Sequence, residues 1–192
     1  MKYPVKPDLY PWHEVYPAFV KPEMSYAEMP KVEIADIGCG FGGLLMALSP
    51  LFPDTLIMGM EIRLKVSAYV HERIVAARAN GNGCQNLAVT RTNSMKHLAK
   101  NHRRRIISQA LLAEYAYTLR VGGMLYTVTD VLDLHQWMVE HLDAHPLFER
   151  IPDADVADDP CLVAAMTKTE EGIKVARNSG DKYPAVYRRI DA

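Results

Sequence analysis

"IADIGCGFGGLL", residues Ile34 to Leu45, is an apolar run that breaks into glycines. A strand ending this way lets a helix N-terminus approach a ligand with no Cβ atoms in between. The stretch fits two nucleotide-site patterns at once. Gly38, Gly40 and Gly43 match the G-x-G-x-x-G of a dinucleotide turn, while Gly38, Gly40 and Gly42 match the G-x-G-x-G of a methyl-donor turn. Glu61, at the end of the next apolar run, suits ribose hydroxyls in either class. The glycines announce a strand-turn-helix unit and leave the cofactor open.

The flanking residues place this unit in an alternating chain. Residues 32–37, 55–61 and 86–91 read as short apolar strands. Between them, 43–51 is helical in composition, and Val66, Val70, Ile74 and Ala77 form one stripe of a helix stopped by "NGNG" at 80–83. Strands alternating with helices imply parallel pairing with right-handed crossovers, hence a doubly wound α/β sheet. Further on, Ile107, Leu111, Tyr115 and Leu119 line a helix face, and "RVGG" turns the chain into a strand over 124–128. Leu134, Trp137, Met138 and Leu142 mark another helix. "LFERI" (147–151) and "PAVYRRI" (184–190) read as strands around a helix that starts near Thr169, with Thr167 and Glu170 suited to a capping box.

The first thirty residues hold six of the twelve prolines, with Tyr3, Tyr10, Trp12, Tyr16, Phe19 and Tyr26 between them. That density prevents a continuous helix or central strand. Residues 1–31 therefore read as an extended arm whose aromatics dock on a surface, its own or a partner's, and 32–192 as the α/β domain. At 192 residues, 49% hydrophobic and 23% charged, the chain suits one substantial core. A net charge of -1 argues against a strongly basic nucleic-acid or membrane-surface protein, so any RNA contact must be local. Cys39, Cys84 and Cys161 match neither a disulfide framework nor zinc spacing, and the histidines show no metal-ligand pattern. With no membrane-length apolar run and no signal-peptide core, a soluble intracellular protein without metal or membrane partner is expected.

Several longer blocks carry a resemblance. "ADIGCGFGGLLMALSPLFPDTLIMGMEIRLKVSAYV" (35–70), "LLAEYAYTLRVGGMLYTVTDVLDLHQWM" (111–138), "HPLFER" (145–150) and "TKTEEGIKVARNSG" (167–180) are similar to the eukaryotic tRNA (guanine-N7)-methyltransferase catalytic subunit family. The resemblance implies a Rossmann-like class I methyltransferase fold, a mostly parallel sheet with an antiparallel C-terminal strand. It also implies S-adenosylmethionine as cofactor and methyl transfer to N7 of a guanosine in the tRNA variable loop. Carried over, Gly38 and Gly40 shape the turn, Glu61 holds the ribose, and Ile62 and Arg63 flank it. Asn93 and Ser94 border the adenine, Ser94 standing where the family usually has alanine. Thr169, Glu170 and Glu171 close over the methionine end and the target base. Asp36 reads as a structural or cofactor-orienting acid. A tRNA substrate, a non-catalytic WD-repeat partner subunit in a heterodimer and a nuclear location, with cytoplasm as a second site, are implied in the same way.

"NSMKHLAKNHRRRIIS" (93–108) departs from that pattern. The family follows this position with a connecting helix and a fourth parallel strand ending in Phe-Pro-Asp-Pro, which holds its catalytic aspartate, and then a basic segment. Here six residues separate Leu98 from Arg105. They resemble the tail of the basic segment, so no catalytic residue is assigned. Lys100, Arg103, Arg104 and Arg105, with His102, form the concentrated positive patch and suit RNA phosphates. The "FPD" at 52–54 precedes a strand, away from the functional edge, so Asp54 is a turn residue. A missing central strand leaves ladder groups unpaired on its neighbours at roughly 1–3 kcal/mol each, against a usual total stability of about 5–15 kcal/mol. The domain is then marginal unless the fifth strand moves beside the first. The expected reading is an exon-skipped or mis-assembled version of a working tRNA guanine-N7 methyltransferase, the alternative being a catalytically impaired isoform that keeps cofactor or partner binding.

Overall fold

The computed structural model describes residues 7–92, 106–178 and 180–191. The chain forms two compact units, Met1–Ser94 and Met95–Ala192.

In the first unit three parallel strands, β1 (Val32–Ile37), β2 (Leu56–Glu61) and β3 (Leu87–Arg91), lie in the order β1-β2-β3. Asp36 sits opposite Gly59, and Gly59 opposite Val89. Alternation along β2 sends successive side chains to opposite faces. Gly59 faces α2 (Gly43–Leu48), where a Cβ would stand 2.5 Å from the Leu45 side chain and 2.9 Å from Cys39 Sγ. Only glycine lets that helix come so close. The connection onward is α3 (Leu64–Ala79), which buries Ser67, Val70 and Ile74. Val66, expected on that stripe, is only half-buried. The helix stops at the predicted "NGNG", where Gly81 and Gly83 take left-handed backbone.

The other face of β2 is covered by the arm. After α1 (Trp12–Val15), Tyr16, Val20 and Met29 pack against Leu56, Met58 and Ala88. Tyr16 is fully buried and its hydroxyl donates to the Ile57 carbonyl at 2.9 Å. Arg78 of α3 donates to the carbonyls of Val15 (2.8 Å), Cys84 (3.1 Å) and Leu87 (2.5 Å), tying the arm to the helix and to β3. Tyr10, Trp12, Tyr16 and Phe19 of the arm thus dock on the chain's own sheet, while Tyr3 lies outside the described residues.

In the second unit β4 (Met124–Thr129), β5 (Phe148–Arg150) and β6 (Tyr183–Arg189) form an antiparallel sheet in the order β4-β6-β5. Leu112 and Ala116 of α4 (Gln109–Thr118) and Met138 and Leu142 of α5 (Leu132–Asp143) pack with Ala185 and Tyr187. Val186 faces the other way, onto Leu162 of α6 (Pro160–Thr167). Helix α6 was not anticipated, and it corrects the cap expected for α7 (Glu170–Arg177). Thr167 ends α6 with its hydroxyl on the Val163 carbonyl (2.7 Å). Thr169 caps α7 instead, its Oγ1 accepting the Gly172 N–H at 2.9 Å. Among the described residues no helix is long and apolar enough to cross a membrane.

Strands β1 and β4 each end a sheet, and β4 takes its ladder from β6. Five of six residues of β2 are buried, whereas in β1 Glu33 and Ala35 are exposed and the rest half-buried. Apart from Thr127, β4 is also half-buried. A doubly wound fold puts such strands in its interior.

Candidate functional site

β1 runs directly into the glycine turn. The N–H groups of Gly38 and Cys39 both donate to the Met60 carbonyl, at 2.8 and 3.1 Å, which fixes the turn beside the end of β2. Left-handed backbone falls on Gly38, Gly40 and Gly42, with φ of +83°, +52° and +81°, while Gly43 is the first residue of α2. The left-handed positions are therefore the alternating three of the methyl-donor pattern rather than 38, 40 and 43. A Cβ at Gly38 or Gly40 would meet nothing within 4 Å, whereas one at Gly42 would lie 3.0 Å from Val70. The turn presents bare backbone to open space on its ligand side and packs on α3 behind, a cradle that suits the amino-acid end of a sulfonium cofactor.

Glu61 ends β2 with a side chain only 4% exposed. Its Oε1 accepts the backbone N–H of Arg63 at 2.9 Å and Arg63 Nε at 3.1 Å, and its Oε2 accepts Arg63 Nη2 at 3.0 Å. Those hydrogen bonds hold the carboxyl below the usual range, with burial working against them. The arginine is 58% exposed and its guanidinium carbon lies 6.0 Å from the Phe41 ring. An ionised carboxylate only accepts hydrogen bonds, the right partner for a ribose diol, and a diol reaching it takes over positions now filled by Arg63. Ile62 is exposed between them.

The remaining expected residues fall elsewhere. Asn93, Ser94, Lys100, His102, Arg103, Arg104 and Arg105 lie outside the described residues. Thr169, Glu170 and Glu171 come together at the start of α7 in the second unit, both glutamates exposed and Glu171 paired with Lys174 at 3.2 Å. Gly172 completes that corner, because a Cβ there would lie 2.7 Å from Thr169 Oγ1 and 2.8 Å from the Met166 carbonyl. Asp36 is half-buried in β1, and Asp54 is an exposed turn residue before β2, as expected. The end of β4 borders an apolar cavity of about 130 Å³ among Ile106, Ile107, Val128, Leu134, Trp137 and Met138. No cluster of metal-ligating side chains occurs among the described residues. The sequence reading missed the Arg63 fork and the edge-to-face pair of Phe41 and Tyr69, whose ring centres are 5.7 Å apart. Neither leaves a spacing signal in the sequence, since both depend on side-chain rotamers.

Turn, acid and sheet define a class I methyltransferase fold. Solved structures agree. A SAM-dependent O-methyltransferase of Thermotoga maritima superposes with a TM-score of 0.54 at 10% identity, covering 85% of this chain and 61% of that one. A precorrin-6y C5,15-methyltransferase of Geobacter metallireducens gives 0.50 at 15%, covering 64% and 67%. The family described as "Putative methyltransferase" matches residues 30–101 and, separately, 99–185. The tRNA (guanine-N(7)-)-methyltransferases of Bos taurus and Homo sapiens are each 50% identical over 225 residues, spanning 99% of this chain and 81% and 82% of theirs. That of Candida glabrata is 48% identical over 215 residues, spanning 99% and 75%. The chain belongs to the tRNA (guanine-N7)-methyltransferase family. The 225-residue alignments exceed the chain's 192 residues by 33, so at least that many positions are present only in the relative. The two family matches meet at 99–101, the junction where the sequence pattern breaks.

Proposed function

We propose that this chain binds S-adenosylmethionine at the 38–42 turn and Glu61, and serves methylation of guanine N7 in the tRNA variable loop, with the transfer step crippled by the missing Pro-Asp-Pro segment. The observation that carries the reading is the alternation of left-handed glycines beside a buried, ionised acid at the next strand end.

When bound, the cofactor supplies an electrophilic methyl group. The backbone of Gly38 and Gly40 admits its amino-acid end, Glu61 accepts from the ribose hydroxyls, and Ile62 and Arg63 flank the sugar. Asn93 and Ser94 border the adenine. The family resemblance assigns Thr169, Glu170 and Glu171 to the methionine end and the base, and Lys100, Arg103, Arg104 and Arg105 suit RNA phosphates. Guanine N7 carries a lone pair and needs no base to deprotonate it, so rate depends on positioning and electrostatics. Without the aspartate that orients the base, that positioning is lost. The chain then acts mainly as a cofactor- and partner-binding form, a reading favoured by the family match breaking at 99–101. A non-catalytic WD-repeat subunit as partner and a nuclear location with some cytoplasmic protein complete the proposal, both carried over from the family resemblance.

The test pairs calorimetric titration of S-adenosylhomocysteine with single-turnover methylation of a tRNA transcript. Binding is expected, with transfer about a hundredfold or more below a full-length relative, the scale set by misplacing reactants. Inserting the relative's segment between Leu98 and Arg105 should restore the rate. Transfer at the relative's rate overturns the impairment, and absence of cofactor binding overturns the whole reading.

A further inference from the structure

Lys65, Tyr69 and Arg73 occupy every fourth position of α3, so the three form one row along the helix. Tyr69 is 50% exposed and meets the edge of Phe41, itself 44% exposed, at 5.7 Å between ring centres. Arg73 Nη1 donates to the Phe41 carbonyl at 3.0 Å, so the row is fastened to the glycine turn. Lys65 is exposed, and Arg63 adds a guanidinium 6.0 Å from the Phe41 ring. In a chain of net charge -1, α3 carries Lys65, Arg73 and Arg78 against Glu72 as its only acid.

None of this is required by the core, because α3 packs through Ser67, Val70 and Ile74. Two exposed aromatic rings beside cations, next to a turn that opens on solvent, form a surface for something both flat and anionic. Unpaired nucleotides have that chemistry, with base faces that stack on aromatics and phosphates that pair with cations. We propose that the Lys65–Tyr69–Arg73 row, with Phe41, is a docking ridge for an unpaired segment of RNA. The proposal rests on the methyltransferase reading and adds to it a contact surface on α3 and the glycine turn.

The test uses the whole chain, an unstructured 5′-fluorescein-labelled oligoribonucleotide read by anisotropy at two salt concentrations, and S-adenosylhomocysteine titrated calorimetrically into the same samples. Tyr69→Ala is expected to weaken RNA binding roughly five- to a hundredfold, the size of one lost base stack, while Tyr69→Phe keeps the stack and stays within about twofold of the parent. Lys65→Gln should make affinity fall less steeply with salt. Circular dichroism confirms that the variants fold. Equal RNA affinity of Tyr69→Ala and parent overturns the proposal. So does self-association that Tyr69→Ala abolishes, since a second copy then covers the ridge. A parent chain that binds S-adenosylhomocysteine but not RNA sinks the ridge alone. One that binds neither sinks the methyl-donor reading and the ridge with it.

Discussion

Arg63 closes over Glu61 from two residues away, placing a backbone N–H and two guanidinium nitrogens on the carboxylate at 2.9, 3.1 and 3.0 Å. The acid is buried and the arginine is in water, so the pair opens by movement of the arginine. Glu61→Gln removes the charge-assisted acceptors, worth about 1.5–3 kcal/mol. S-adenosylhomocysteine affinity should fall roughly ten- to a hundredfold by calorimetry. An unchanged affinity would mean the ribose binds elsewhere.

Gly59→Ala probes the packing behind the turn. Its backbone is ordinary strand, so the penalty comes from the new methyl meeting Leu45, which is fully buried, and Cys39. Overpacking of this kind costs about 1–3 kcal/mol. In a chain this size that lowers Tm by roughly 2–4 °C per kcal/mol. Cofactor affinity should drop with it, because Cys39 belongs to the turn.

Tyr16→Phe removes one hydroxyl and leaves the ring. The bond to the Ile57 carbonyl disappears from a dry site, and a loss of about 1–2 kcal/mol in urea unfolding is expected. Tyr16→Ala should cost more, about 3–5 kcal/mol, by emptying the arm's anchor.

His145 gives the fold a pH dependence. The ring is buried against Phe148, and its Nδ1 accepts the Leu147 N–H at 3.3 Å, a role only the neutral ring can fill. Burial, helped by the charge of Arg189, holds its pKa below the ordinary value. The unfolded chain therefore takes up the proton first. His145's contribution is whole above about pH 6.5 and is lost as pH falls from there through the lower folded value. Urea midpoints at pH 7.5 and 5.5 should differ less in His145→Gln than in the parent. Equal differences would place the titration elsewhere.

Much of the fold was legible because its signals are local. Periodicity and glycine placement located β1 to its ends and put the other strands within a residue or two. Helix α6 escaped because "CLVAAM" is apolar throughout and shows no face. Its start signal was nonetheless present, since Asp159 caps it through the Leu162 N–H at 2.9 Å and Pro160 opens it. Thr167 was the expected cap of α7, but α6 claims it and Thr169 caps α7 instead. At the site, the glycines and Glu61 could be named from their spacing, but a fork between neighbours such as Glu61 and Arg63 depends on rotamers that no spacing encodes. The ridge on α3 was invisible for a similar reason. Its stripe was read for what it buries, and Tyr69 lies on the face left over.

The half-exposed β1 bears on the fate of the protein in a cell. Among the described residues β1 pairs along one edge only, with β2, and a strand at a sheet margin is a template for extended segments. Such margins attract chaperones and proteases, and turnover follows how often they are found open. For this chain, abundance becomes a matter of surveillance: its half-life should lengthen when a ligand braces the glycine turn into which β1 leads.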